Sequence, residues 1–257
     1  MKKLLALFLF LIPMMVSQVA LATDIEFLYR EALKAGSSSN APGLKKRAQA
    51  FEFFYGINVR QDFSLALPRF KAAFSEGDSE SGAIAGLMIS AGLGSPKDPI
   101  KSRQIINEAY SRGSGLAAYL IAGEDNMKSP GNRVARDELL RFAVSRKVPE
   151  ANFELASSLL AKSPSKKTSV QAKGMFSEGC ELGDIRSCHS LGVMLYTDLY
   201  IPQNHSESLA ILLMCADLGL EPCETAAGHV ITRISRSDRD AAIKKAALYL
   251  ENGYKSK

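Results

Sequence analysis

The sequence predicts an all-α chain, an α/α solenoid superhelix of about six two-helix repeats behind an N-terminal cap helix. Three observations carry this. Tyr55-Gly56, Asp62, Phe70, Ala73 and Gly77 are matched 36 residues later by Ala91-Gly92, Asp98, Ile106, Ala109 and Gly113. The residues that end each unit, Gly77, Gly113, Pro149, Gly183, Gly219 and Gly253, are spaced by 36, 36, 34, 36 and 34. Between these anchors, aligned columns keep their physical character, as in an array whose units bury their apolar faces on one another.

Each column predicts part of a repeat. Twenty-seven residues before the anchors stand Ala50, Gly86, Ala122, Ala156, Gly192 and Ala226, small side chains that let helix A approach a neighbouring backbone closely. Seven before them stand Phe70, Ile106, Phe142, Phe176, Leu212 and Ala246, the knobs of helix B. Fifteen before them stand Asp62, Asp98, Val134, Thr168, Asn204 and Asp238. All but Val134 can accept the free amide hydrogens at the start of helix B. Glycine at five anchors suits the left-handed residue that closes a helix, whereas Pro149 ends unit three only by refusing to continue it. With Val134 at its cap position and the loop Lys128-Ser129-Pro130-Gly131-Asn132, unit three reads as the degenerate one.

The ends of the chain differ from the array. Met1-Lys2-Lys3, an apolar run from Leu4 to Val16 and the small-residue site Val19-Ala20-Leu21-Ala22 predict a secretory leader over 1–22, cleaved before Thr23. Its loss lowers the formal charge from +5 to +3, too slight a balance to predict a nucleic-acid or membrane partner. A cap helix over Ile25 to Gly36 and a loop, within 23–43, precede units at about 44–79, 80–115, 116–150, 151–185, 186–221 and 222–257. The charged last helix, Asp238 to Asn252, gives the terminal repeat a polar outer face.

Small residues in helix A, then G-x5-D-x3-A, then A-x3-G at the end of helix B, resemble the Sel-1-like repeats, relatives of tetratricopeptide repeats. The resemblance is best over Tyr55 to Gly77 and over Gly179-Cys180 through Cys188-His189 to Gly192. The second stretch resembles the cysteine-rich exported branch, in which a Cys pair separated by seven residues is disulfide-linked inside the array. Here C-x7-C occurs twice, as Cys180/Cys188 and Cys215/Cys223. On one continuous helix each pair would stand about 12 Å apart, so local bridges require a turn between them. Gly183-Asp184 and Gly219-Leu220 supply one. Four free thiols and a metal site are the alternatives, although neither pair has C-x2-C spacing and export favours oxidation.

Catalytic chemistry has little support. His189, His205 and His229 show no H-E-x-x-H arrangement, and neither a phosphate-binding glycine loop nor a G-x-S-x-G elbow is present. No catalytic residue, metal ligand or cofactor is assigned. Ser163-Pro164-Ser165-Lys166 and Lys167-Thr168-Ser169 mimic S-x-x-K and K-T-G, but they are contiguous, whereas penicillin-recognising enzymes set them on separate elements.

What remains is surface: successive A helices lining the inner face of a superhelix, open to a protein or peptide ligand. The candidate contacts are Phe54, Tyr119, His189, Tyr196 and Tyr200. The chain thus reads as a monomeric protein-binding scaffold, periplasmic or secreted in the manner of Gram-negative bacteria and not membrane-inserted after cleavage. By resemblance an immunity or inhibitor role is a narrower form of it. The alternative is a cell-wall or β-lactam-binding hydrolase of the cysteine-rich repeat type.

Overall fold

The computed structural model describes residues 26–36, 42–124, 127, 130–197 and 202–255, so the leader lies outside the described residues. The described residues form thirteen α-helices and no strand, and the chain divides into two compact units after Ile121, inside repeat three. The first unit holds α1 (Glu26–Gly36), α2 (Pro42–Tyr55), α3 (Phe63–Ser75), α4 (Ser79–Ala91), α5 (Pro99–Ser111) and α6 (Gly115–Ala122), whose last residue opens the second. The second holds a short 3-10 turn (Pro130–Asn132), α7 (Arg133–Ser145), α8 (Pro149–Lys162), α9 (Lys166–Leu182), α10 (Ile185–Tyr196), α11 (His205–Asp217), α12 (Glu221–Ile231) and α13 (Arg236–Asn252).

Within a repeat, helix A reaches helix B through a loop held by one recurring bond. The N–H of Asp62 donates to Phe53 O, that of Asp98 to Ile89 O, and that of Asn204 to Leu195 O. Each of those residues then caps helix B: Asp62 accepts from the Ser64 and Leu65 amides, Asp98 from Lys101, and Asn204 from Glu207. The small column of helix A faces the knob column of helix B. A Cβ placed on Gly86 would lie 2.5 Å from Ile106 Cγ1, and one on Gly192 would lie 2.7 Å from Leu212. At the same crossing Ser102 Oγ donates to Gly86 O (2.8 Å) and Ser208 Oγ to Gly192 O (2.7 Å), so both buried hydroxyls are satisfied.

From helix B to the next helix A, the chain turns through one left-handed residue. After it, the N–H of Asp78 donates to Ala73 O, Ser114 to Ala109 O, Val148 to Ala143 O, Asp184 to Gly179 O and Leu220 to Cys215 O, at 2.9 to 3.4 Å. This is the bond that closes a helix through a left-handed residue. The third of these turns corrects the sequence reading. Its left-handed residue is Lys147 (φ 63°), while Pro149 opens α8 at its first position, where a missing N–H costs nothing. Counted from Lys147, the cap position is Asn132 rather than Val134 and the knob is fully buried Leu140 rather than half-buried Phe142.

Two further caps also move. In α9 and α13, Thr168 and Asp238 sit in the first turn, and their amides donate to Ser165 Oγ and Ser235 Oγ, the real N-caps. Helix B gains an extra turn in these two repeats and the loop before it shortens. In repeat six, unlike repeat four, α13 lies along α11 instead of along its own helix A, α12. Lys245 pairs with Glu207 of α11, Tyr249 Oη donates to Glu207 Oε1 at 2.6 Å, and the buried Tyr254 brings its hydroxyl to 3.4 Å from Ser177 of α9.

Buried polar groups tie the first unit together. Arg47, 1% exposed, reaches Glu31 of α1 at 2.8 Å and Asp78 of the α3–α4 turn at 3.1 Å, joining three segments. Glu80 of α4 caps α6 from outside, accepting from Ser114 Oγ and from the Gly115 and Leu116 amides. Burial raises its carboxyl pKa, and those hydrogen bonds oppose the rise.

Two outcomes test this description. Lys147→Gly relieves a left-handed L-residue and raises unfolding stability by about 1 kcal/mol, read from urea unfolding; an unchanged or lower value would return the turn to Pro149. Burial, the largest cause, pushes the phenols of Tyr29, Tyr249 and Tyr254 up, with Glu52 adding at Tyr29 and Glu207 at the other two. The folded chain keeps these protons where the unfolded chain loses them, so stability falls as pH rises above about 10. In an ultraviolet titration these three phenols ionise at higher pH in the folded chain than in urea; ionisation of all tyrosines at the unfolded-chain pH would refute it.

Candidate interaction surface

Two of the aromatic residues predicted to face a ligand, Phe54 and Tyr196, pack within the fold. Phe54 is 4% exposed and packs its ring on Phe51, Phe63 and Phe70. Tyr196 occupies the same place in repeat five: its ring meets His205 at 5.6 Å as Phe54 meets Phe63 at 5.4 Å, and Arg233 lies over it. Both hold the loop between helices A and B. Tyr119 is half-buried against the core of the first unit. His189 is half-buried in α10, and desolvation holds its pKa below the usual imidazole range. Tyr200 lies outside the described residues. Nor does helix A of repeat two offer a lining, because α4 is buried at every position from Ser81 to Ile89 except Leu87.

Solvent instead reaches the outer faces of the B helices and the loops that lead into them. Leu65, Ile100, Val134 and Val170, all in the first two turns of a helix B, are exposed. In repeat one the exposed residues surround a cleft of about 480 Å³ lined by Phe53, Val59, Arg60, Gln61, Asp62, Phe63 and Leu65. Two of these side chains are committed to the fold, Asp62 to its cap and Gln61 to the Phe54 carbonyl at 2.8 Å. Phe63 packs on Phe54 and Arg69 covers the Phe53 ring, which leaves Val59, Arg60 and Leu65 exposed. Val59 is 37% and Leu65 41% exposed, and Arg69 lies 4.2 Å over the Phe53 ring while donating to Leu65 O. Among the described residues neither Arg60 nor Arg69 forms an ion pair. The cleft therefore sets Val59 and Leu65 beside one exposed guanidinium, Arg60, whose charge acts on the Asp62 carboxylate, with Arg69 adjacent on α3 over the Phe53 ring, a grouping suited to an apolar side chain next to a carboxylate. The period of helix B could have revealed it, since Leu65 and Arg69 are four apart on one face.

Elsewhere the chemistry is occupied. Ser163 ends α8, and Ser165 and Thr168 cap α9 reciprocally, so the S-x-x-K resemblance falls on a linker of three residues. Among the described residues no group of His, Cys, Asp or Glu could hold a metal ion, and no helix is long and apolar enough to cross a membrane.

The four cysteines form two local bridges, Cys180–Cys188 and Cys215–Cys223, with Cα separations of 4.6 and 5.8 Å. Each spans a left-handed turn, at Gly183 and Gly219, and ties helix B to the next helix A. Loops this short yield about 2.5 kcal/mol per bridge through loop-closure entropy. Cys215→Ala/Cys223→Ala therefore lowers the stability of the second unit by about 2 kcal/mol while the helical signal stays; circular dichroism with urea checks it, and unchanged stability would show the bridge to be dispensable.

No protein-family model matches the chain, and no curated protein matches it. Solved structures do. One is a protective antigen, c5321, present in uropathogenic Escherichia coli strains and displaying an SLR fold, with TM-score 0.54 and 17% identity over 87% of this chain. The present chain spans 56% of that antigen's length. Another is a Sel1 repeat protein from Oxalobacter formigenes, with TM-score 0.59 and 16% identity, covering 86% of this chain and 94% of that one. Repeating helix pairs closed by left-handed turns, and similar in course to both structures, give this chain the SLR fold of Sel1 repeat proteins.

Proposed function

We propose that the protein is exported and acts as a non-catalytic, monomeric scaffold that holds a partner polypeptide against its helical repeats, in the periplasm or outside the cell. The observation that carries this is the pair of disulfides in one small unit, since such bonds persist in oxidising compartments and are rare in reducing ones. The leader pattern over 1–22 supports the same compartment. A binding role is supported by the cleft in which exposed Val59 and Leu65 stand beside Arg60 and by the general use of helical-repeat surfaces for polypeptide ligands.

The test is expression with the leader in a Gram-negative host, carrying a photo-crosslinking amino acid at Leu65 or Leu218. The expected product begins at Thr23, lacks one hydrogen per cysteine by intact mass, and yields one discrete crosslinked polypeptide. An uncleaved chain with four free thiols would sink the export reading, and the absence of any crosslink at both sites would sink the binding one.

A further inference from the structure

The repeats allow the same outer face of helix B to be compared in two places. In repeat five, α13 lies along α11, and α11 buries Ala210, Ile211 and Met214. The residues at the same distances from the turn in repeat one are Pro68, Arg69 and Ala72, and none of them is buried. Glu207 of α11 is half-buried and engaged by Lys245 and Tyr249 of α13, whereas its counterpart on α3, Leu65, is exposed. One face of one element is thus covered by a helix in one repeat and bare in another. The covering helix shows what such a face accepts: small and aliphatic side chains such as Ala242 and Ala246 turned inward, with a polar edge that answers the charge beneath it.

On α3 the balance of charge differs. Where α11 offers the carboxylate of Glu207 to a lysine, α3 and its preceding loop carry two arginines, Arg69 over the Phe53 ring and the exposed Arg60, against one carboxylate, Asp62, which is held by its cap, with Val59 and Leu65 as the exposed apolar ground. We infer that the open face of α3, together with the cleft at its N-terminal end, seats an acidic amphipathic helix of a partner protein, in the way that α13 covers α11. A leucine-type side chain enters between Phe53, Val59 and Leu65, and carboxylates one turn away on the same helix meet Arg60 and Arg69. This rests on the scaffold reading and names the chemistry of its partner.

Two synthetic side-chain-bridged helices that share one leucine face, edged in glutamate in one and lysine in the other, provide the probe. Fluorescence anisotropy with the purified protein is expected to show the glutamate helix binding at least about tenfold more tightly. The double variant Leu65→Asp/Arg60→Glu, both exposed positions, is expected to lose about tenfold in that affinity, with helix content unchanged by circular dichroism. Ile243→Asp, on the exposed side of α13, leaves it unaltered. Equal affinity for the two helices, no binding of the glutamate helix, or full affinity in the folded double variant would each overturn the assignment. The scaffold reading fails separately: a natural partner crosslinked elsewhere and retained by the double variant would leave the scaffold standing and remove this seat.

Discussion

The structure depends on the turn by which each helix B hands the chain to the next helix A. A helix end leaves carbonyls unpaired, and burying them costs about 1–3 kcal/mol each unless a donor arrives. One left-handed residue swings the next N–H back onto such a carbonyl, and the same swing sets the angle at which helix A lies against the preceding pair. A bond of this kind recurs at Asp78, Ser114, Val148, Asp184 and Leu220, so the geometry of stacking is fixed locally, within six residues, and reproduced along the chain. This locality accounts for tolerance of variation elsewhere: loops shorten, helix B lengthens and side chains change, while the turn bond stays.

Side chains that straddle this turn show how one geometric slot is filled by different chemistry. Three residues before the left-handed glycine and five after it, the first turn sets the Phe74 ring against Gly82, so closely that a Cβ there would lie 2.6 Å from the ring. The same two places after the fourth turn hold Cys180 and Cys188, joined by a disulfide. An aromatic ring on a glycine and a covalent bridge do the same mechanical work, pinning helix B to the next helix A. The first draws on buried apolar area and the second on a restricted unfolded chain. The covalent solution appears in the second unit, whose core rests on small and aliphatic residues, whereas the first has the ring cluster of Tyr29, Phe51, Phe54 and Phe70.

What could be read in advance follows the same division. The period, the small column against the knob column and the caps at Asp62, Asp98 and Asn204 are local and repeat, so they were legible as columns. The local cysteine bridges were legible because a glycine turn sits inside each pair. Lys147 was not legible: a left-handed lysine carries no compositional mark, and a proline two residues on offered a false anchor. The caps Ser165 and Ser235 did carry a mark, S-x-x-T and S-x-x-D, but a fixed offset from the glycine concealed a loop three residues shorter. Phe54 and Tyr196 were misplaced because aromatic identity does not say which side of a helix end a ring takes. That depends on the partner at the start of helix B, Phe63 or His205, which only the folded loop brings within reach.

The fold of α13 against α11 could not be read from columns at all, because it breaks the translation they assume. An early helix start alone does not produce it, since α9 begins after an even shorter linker, Ser163 to Ser165, and still lies along α8. The α12–α13 linker runs only from Thr232 to Ser235, against seven residues between α2 and α3, and Ser235 starts the helix a turn early. What distinguishes α13 is its contacts: it lies across α11, where Glu207 holds Lys245 and Tyr249. The turns recur, but the outer faces of the B helices do not. On α5 the positions equivalent to buried Ala210 and Met214 are Gln104 and Glu108, polar and exposed. On α3 they are Pro68 and Ala72, with Leu65 and Phe53 beside them. A face that is apolar where its neighbour is polar, and cationic where its covered counterpart is anionic, departs from what solvent exposure alone would select. That contrast within one chain, more than the repeat architecture shared with other proteins, is what singles out the α3 face.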